Sequence, residues 1–529
     1  MNLVNITFNG DDNMTFNILE DKTTPFVNVM EYGAKGNGID DDTQAFKAVL
    51  EMAKYNGAVR MYIPNGIYRL TAELNIYSNT TIISSENTRI VRDHNGYMIL
   101  NGFRTDNYSG YSGNRNIKIA GGIWDANGVK RPSKASTFHF GHGENIYINN
   151  VTIKDTANSH GIEFNACKNI LVENSKFLGW VGSTDFFNEA IQLDLAKNNG
   201  SVTIPKNDDT PCLNVVIRHC YFGNSGTSGS NPWGRAIGSH ASTIGKWHEN
   251  IKIVENTFEN LVQWAVRSYS WKDVHIVNNT VLNCGGGFSI DTPLLSKTAD
   301  TVDTNGKQTN ASQNCSGYII NNNKIGGGLN YGPAISVKGQ SSGYIQNCTI
   351  LGNIVTGTDS GSLGVIVRFA DDVSIANNQF KQLGDTGISV SDKSIHVTVA
   401  NNLIRGTEGN GITISTQSHY AEIIGNTLKE IGGNGIWVSD NLESVVISSN
   451  NIAGVNGNNE TDKQHIRITS NIKRVTIIGN VCRNFSTTHK TSEALYTTST
   501  VQNVTRSGNV FAGFSINDNS NSKIGGDVL

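Results

Sequence analysis

Ile375-Ala376-Asn377-Asn378-Gln379-Phe380 is answered by Val399-Ala400-Asn401-Asn402-Leu403-Ile404, then by Ile423-Ile424-Gly425-Asn426-Thr427-Leu428 and Ile447-Ser448-Ser449-Asn450-Asn451-Ile452. The turn residues Asn378, Asn402, Asn426 and Asn450 recur every 24 residues, and a second strand follows at Gly387-Ile388, Gly411-Ile412 and Gly435-Ile436. A fixed period of this length is the mark of a solenoid. Short Val/Ile-rich segments punctuated by Asn and Gly make it an all-β one. Asn256, Asn279, Asn323, Asn353 and Asn480 fill the same slot in other coils, which predicts a ladder of amides hydrogen-bonded from coil to coil. The fold expected is a parallel β-helix.

Composition agrees and narrows the function. The 529 residues include 56 Gly and only 8 Pro, and 529 exceeds an ordinary single core, which suits an elongated repeat. Net charge is -3 and no long basic run occurs, which argues against nucleic acid as a partner. The seven cysteines are scattered without a CxxC pair, so neither a disulfide framework nor a zinc site is expected. No cofactor motif appears. Asp11-Asp12, Asp208-Asp209 and Asp371-Asp372 are read as solvated turns rather than calcium sites, because no EF-hand-like loop accompanies them. No apolar run of membrane-spanning length exists. The first residues lack a charged region followed by an apolar run, so no signal peptide is expected. Those features suit a cytoplasmic chain or one exported without a conventional signal, for example in a virus particle.

Residues 1–24 alternate at Val4, Ile6 and Phe8, turn at Gly10-Asp11-Asp12-Asn13, and alternate again at Met14, Phe16 and Ile18, which predicts an attachment hairpin. Next comes Tyr32-Gly33-Ala34-Lys35-Gly36-Asn37-Gly38, then Asp41-Asp42-Thr43. Asp41 or Asp42 should cap a helix that buries Phe46, Val49, Leu50 and Ala53 and ends at Gly57. Ile63-Pro64-Asn65-Gly66-Ile67-Tyr68 then reads as strand, turn and strand. This segment, roughly residues 26–83, resembles the N-terminal signature of the pectate-lyase-like superfamily, common in phage tailspikes and polysaccharide depolymerases. The resemblance implies a helix capping a right-handed parallel β-helix. The expected organisation is a hairpin arm at 1–24, the cap at 25–83, the β-helix at 84–515 and a frayed polar tail at 516–529.

Residues 159–291 depart from the bland coils. Inward positions are expected at Ile162, Ile191, Ile237, Val266 and Phe288, with the residue after each facing outward. Coil spacing of about 4.8 Å then makes one outward file of Glu163, Gln192, Gly238, Arg267 and Ser289. A second file holds Asn165, Asp194, His240, Tyr269 and Asp291, and His160, Glu189, Arg235 and Trp264 precede them. Paired carboxylates one or two coils apart suit glycoside hydrolysis, with one protonated and one ionised. Glu189 and Asp194 are the expected pair, Glu163 a third acid and His240 a polarising group. His160, Arg235, Trp264, Arg267, Tyr269 and Asp291 would hold substrate. Insertions between Ser175 and Cys220, Gly223 and Trp233, and Asn279 and Asn323 enlarge these same coils. Trp180, Phe186, Phe187, Trp233, Trp247 and Trp271 gather there as expected sugar-stacking rings. A solvated ion-pair ladder of Glu163, Asp194 and Arg267 is the competing account.

The order Ser159-His160-Gly161-Ile162-Glu163, Asn188-Glu189, Gly238-Ser239-His240 and Val266-Arg267 is similar to polygalacturonase-type glycosidase motifs. His160 stands where that family has Asp, and Ser268 where it has Lys. The resemblances imply a tailspike-type depolymerase, a glycoside hydrolase or polysaccharide lyase acting on a bacterial surface glycan or wall teichoic acid. They also imply a homotrimer joined to phage tail or baseplate proteins. Ser389, Thr413 and Trp437 lie in the later part of the file that carries the site, and Trp437 is the expected subunit contact. A non-catalytic receptor-binding virion protein on the same scaffold is the alternative, since fold does not fix function.

Overall fold

The computed structural model describes residues 2–6, 16–20, 24–183, 188–197, 207–458, 460–484, 491, 493–511 and 513–528. It forms two compact units, one of residues 1–274 with 297–310, the other of 275–296 with 311–529.

In the first unit, each coil contributes one short strand to each of three parallel sheets. Glu144–Asn149, Thr152–Ala157 and Ile162–Asn165 make one coil, and Lys168–Glu173, Lys176–Val181 and Glu189–Asp194 make the next. Register is kept residue for residue: Ile146 opposes Ile170, Ile153 opposes Phe177 and Ile162 opposes Ile191. Like residues therefore stack in the interior, as Phe140 on Phe164 at 5.3 Å and Phe177 on Phe222 at 4.9 Å. Offset aromatic stacks add to the gain from burial.

The helix Thr43–Asn56 buries Phe46, Val49, Leu50 and Ala53, as expected, and stops at Gly57 in the left-handed region, φ 80°. Of the two candidate caps, Asp41 supplies the side-chain bond to the helix. Asp41 accepts from the Thr43 amide at 3.0 Å, while Asp42, the N-cap residue, turns back to the amides of Lys35 and Gly36. The strands Asn2–Ile6 and Phe16–Glu20 pair antiparallel. The expected turn at 10–13 lies outside the described residues.

The second unit repeats the three-strand coil and contains the amide ladder. Asn402 Oδ1 accepts from the backbone N and the Nδ2 of Asn378, both at 3.0 Å. Asn402 in turn donates from Nδ2 to Ile375 O at 2.8 Å and to Asn426 Oδ1 at 3.0 Å. The pattern runs through Asn279, Asn323, Asn353, Asn378, Asn402, Asn426, Asn450 and Asn480, and continues to Asn509 and Asp527. Trp437 is half-buried, with its indole N–H on Thr469 at 3.4 Å. The tail expected to fray instead forms Ser515–Asp518 and Lys523–Gly525, paired to Glu493–Thr497 and Gln502–Ser507. Asp518 holds this end by accepting from Ser520, Ser522 and Thr497.

Replacing Asn402 by Ala would leave the buried backbone N–H of Asn378 and one of its two side-chain N–H bonds without an acceptor, so urea unfolding should show a loss of roughly 3 kcal/mol. The neighbouring left-handed residue Asn401, φ 55°, replaced by Gly should change stability by well under about 1 kcal/mol.

Candidate functional site

Strict register places the unusual residues together within the first unit. His139 opposes Glu163, Glu163 opposes Gln192, Gln192 opposes Gly238, and Gly238 opposes Arg267. Asn165 opposes Asp194, and Glu189 opposes Arg235. The inward alternates Ile162, Phe164, Ile191, Leu193 and Ile237 fill the core. Gly238 sits in a tight place in the file: a Cβ there would lie 2.9 Å from Arg267 O and 3.3 Å from Glu189 Cγ, too close for any larger residue.

The three acids face away from the core yet are buried, Glu163 at 4%, Glu189 at 0% and Asp194 at 1% exposure. Each has a different set of partners. Glu163 lies 3.1 Å from His139 Nδ1 and accepts from Ser136 at 2.8 Å and Asn165 at 2.9 Å. Burial pushes its pKa up, but His139, His160 and the Asn165 amide outweigh that and hold it well below the usual carboxylate range. Glu189 accepts from Arg235 at 3.0 Å and has His240 Nδ1 at 3.5 Å and His160 Nδ1 at 3.6 Å. Burial again raises, and His240, Arg235 and His160 together keep it ionised, well below its ordinary value. Asp194 has no Arg. It accepts from Gln192 at 2.8 Å and from the Leu195 amide at 3.1 Å, with His240 Nε2 at 3.8 Å. Burial therefore wins and pushes it up to about 6.

His240 lies between the two acids and is the member that reaches solvent, its side chain 34% exposed. Burial pulls its pKa down, but Glu189 and Asp194 raise it to about 9. His160 stacks on it at 6.0 Å, donates from Nδ1 to Glu189 O at 3.0 Å, and is shifted downward by burial. Two carboxyl groups whose environments push their proton affinities apart, with an imidazole between them, can hold a proton beside a fixed negative charge. Arg267 bonds Ser239 O at 3.0 Å and packs over the Tyr269 ring.

Sequence reasoning therefore located Glu163, Glu189, Asp194, His160, Arg235 and His240 in one group, but placed the acids on an open groove. They are covered. The solvated ion-pair ladder fails for the same reason. The expected sugar platforms Trp180, Trp233, Trp264, Tyr269 and Trp271 are buried as well. Their polar atoms tie loops to coils: Trp180 Nε1 donates to Ser159 O, Trp271 Nε1 to Ser239 Oγ, and the Tyr269 hydroxyl to Asp300. Asp300 belongs to the insertion 297–310, which this unit incorporates. The insertion at 223–233 is pinned by Thr227 on Asp155. Trp247 carries Lys272 over its ring. Phe186 and Phe187 lie outside the described residues. Asp291 belongs to the second unit, where it accepts from Ser289 Oγ at 2.7 Å. His139 and Ser136 were missed. The signal was the period-2 run Phe138-His139-Phe140 one coil before Glu163. Among the described residues, Asp371, Asp372 and His396 bring potential metal-ligand atoms within 4.8 Å of one another, on the exposed surface of the second unit.

Residues 26–289 match the family described as "Rhamnogalacturonase A/epimerase, pectate lyase-like", and residues 301–452 match "Right handed beta helix region". A Streptococcus pneumoniae protein, "Plasmin and fibronectin-binding protein A", is 30% identical over 279 residues, a match covering 48% of this chain and 38% of that one. A crystal structure of a surface adhesin of Streptococcus pneumoniae aligns with TM-score 0.60 and 24% identity, covering 74% of this chain and 92% of that chain. A tailspike protein of E. coli bacteriophage HK620, in complex with a hexasaccharide, aligns with TM-score 0.51 and 13% identity, covering 94% and 78%.

The two acids should respond oppositely to pH. Asp194 titrates at about 6 when folded, against 3.8 for the ordinary group, so the fold loses stability as pH rises from about 4 to about 6. Asp194→Asn should accordingly be more stable than wild type above pH 6, on the order of 2–3 kcal/mol, and equal to it near pH 3. Glu189 is depressed, so its contribution is present at neutral pH and is lost on acidification. Glu189→Gln should therefore destabilise at pH 7. Urea unfolding across pH 3–8 reads both.

Proposed function

We propose, for a chain built as a pectate-lyase-like right-handed β-helix, that the first unit binds an extended bacterial surface glycan across the coils from His139 to Arg267 and cleaves it. The observation that carries this is the buried group of Glu189, Asp194 and His240. A β-helix needs no such cluster to fold, and desolvating it is costly unless the fold keeps it for chemistry. His240 meets the substrate. Asp194 behind it takes up a proton as pH falls through about 6, and Glu189, fixed by Arg235, holds the imidazole charged. Acid–base cleavage of a glycosidic bond is the reaction this arrangement serves, with Arg267 receiving an anionic substituent. The same fold holds a hexasaccharide in the phage tailspike, which supports a glycan as the occupant. Display on a phage particle as a homotrimer, with the N-terminal hairpin as its attachment, is the matching setting.

A second reading is favoured by a specific observation. All three acids are covered, and the Streptococcus pneumoniae relative is named for binding plasmin and fibronectin. On that reading the face is adhesive and Glu189 and Asp194 only charge His240.

Incubation with purified bacterial envelope polysaccharides, followed by mass spectrometry of released fragments, separates the two. Cleavage predicts oligosaccharide products whose rate falls about 100-fold in His240→Ala, the scale of losing an acid–base group. Retention of polysaccharide by wild type with no released product across a broad host panel would leave adhesion as the function.

A further inference from the structure

The second unit carries a groove of about 340 Å³ that the reading above does not use, lined by His419, Asn441, Glu443, Asn471, Lys473, Thr500 and Gln502 among others. The groove crosses successive coils, since Glu443 opposes Lys473 and Lys473 opposes Gln502. Its walls are amides, a hydroxyl, an imidazole and one charge of each sign. That is a lining of hydrogen-bond donors and acceptors with little net charge, and it suits a polyol rather than an apolar or polyanionic ligand.

Tyr420 does not line this groove itself but follows its lining residue His419 and donates its amide to Glu443 O at 2.9 Å, and its backbone is under strain. In the first unit the corresponding bulged slot is held in the left-handed region by Asn116, Asn145, Asn169, Asn214 and Asn250, with φ from 56° to 58°. Asn tolerates that conformation, and these amides bond one to the next at 2.9–3.1 Å. In the second unit the slot is occupied in turn by Asp372, His396, Tyr420, Ser444 and Arg474, with φ of 55°, 52°, 56°, 60° and 58°. Bulky side chains there are costly, and a costly choice on the surface is a pointer to use. The two rings stack at 5.2 Å with an interplanar angle of 18°, and Tyr420 is 47% exposed. The next residue in the slot is the small Ser444, φ 60°, whose Oγ accepts from Arg474 Nε at 3.2 Å.

We propose that Tyr420 and the groove from Asn441 to Gln502 form a second carbohydrate site, which takes an uncharged pyranose unit stacked on Tyr420 with its hydroxyls on the groove's amides. Aromatic stacking supplies the contact area and the amides the orientation. The inference goes beyond the cleavage site and does not depend on it.

The test uses the full chain and four probes, glucose, galactose, N-acetylglucosamine and N-acetylgalactosamine, at millimolar concentration in saturation-transfer NMR. At least one should receive saturation at its ring protons. Tyr420→Asn restores the residue that the strained slot prefers, so this variant should fold with an equal or higher Tm while its affinity falls roughly tenfold. Both proteins are compared in a His240→Ala background, so that the first unit's glycan contact is removed from the signal. No transfer to any of the four sugars in that background would overturn the proposal. So would transfer there that is unchanged on adding Tyr420→Asn.

Discussion

The constraint on which the structure depends is that neighbouring coils stay in register. From Asn279 onward, a buried Asn at the same corner of each coil accepts two hydrogen bonds from one neighbour and donates to another, as Asn402 does with Asn378 and Asn426. A slip of one residue would orphan those buried amides and turn every Ile of the coil outward. With register fixed, residues far apart in sequence line up without any further device, and so His139, Glu163 and Gln192 come to share one file.

That alignment concentrates charge in the first unit, and the differences among the three acids follow from their partners rather than from their depth. Glu163, Glu189 and Asp194 are about equally buried. Glu189 has a guanidinium and Glu163 an imidazole with two neutral donors, whereas Asp194 has an amide side chain, a backbone N–H and a more distant imidazole. Removing water costs each of them alike, and only a full, close positive charge or several good donors repays it. The consequence is a protonatable acid and a permanently charged one on either side of an exposed histidine.

Burial of the acids also moves attention to the groups that a polymer could touch. His240 and the edges of Arg235 and Arg267 remain open to solvent, while the tryptophans that looked like sugar platforms are buried, Trp180 bonded to Ser159 O and Trp271 to Ser239 Oγ. The same fold carries adhesion in one relative's name and holds an oligosaccharide in another. The scaffold is thus neutral between these uses, and the side chains at the face decide.

The sequence by itself determined the coil, because a 24-residue period with Asn at the corner can be satisfied only by stacking, and it determined which residues share a file, because strand periodicity is strict. The cap was equally legible, since Asp41, Phe46, Val49, Leu50 and Gly57 are local signals for a local element. Only the tertiary structure decided exposure. Whether Glu189 meets solvent depends on what other parts of the chain lay over it, and whether Tyr269 is a platform or a tether depends on Asp300, 31 residues away in an insertion with no repeat to read. Periodicity specifies direction relative to the coil axis. It carries no information about what covers the outer face, and the proton affinities of the site are set by that cover.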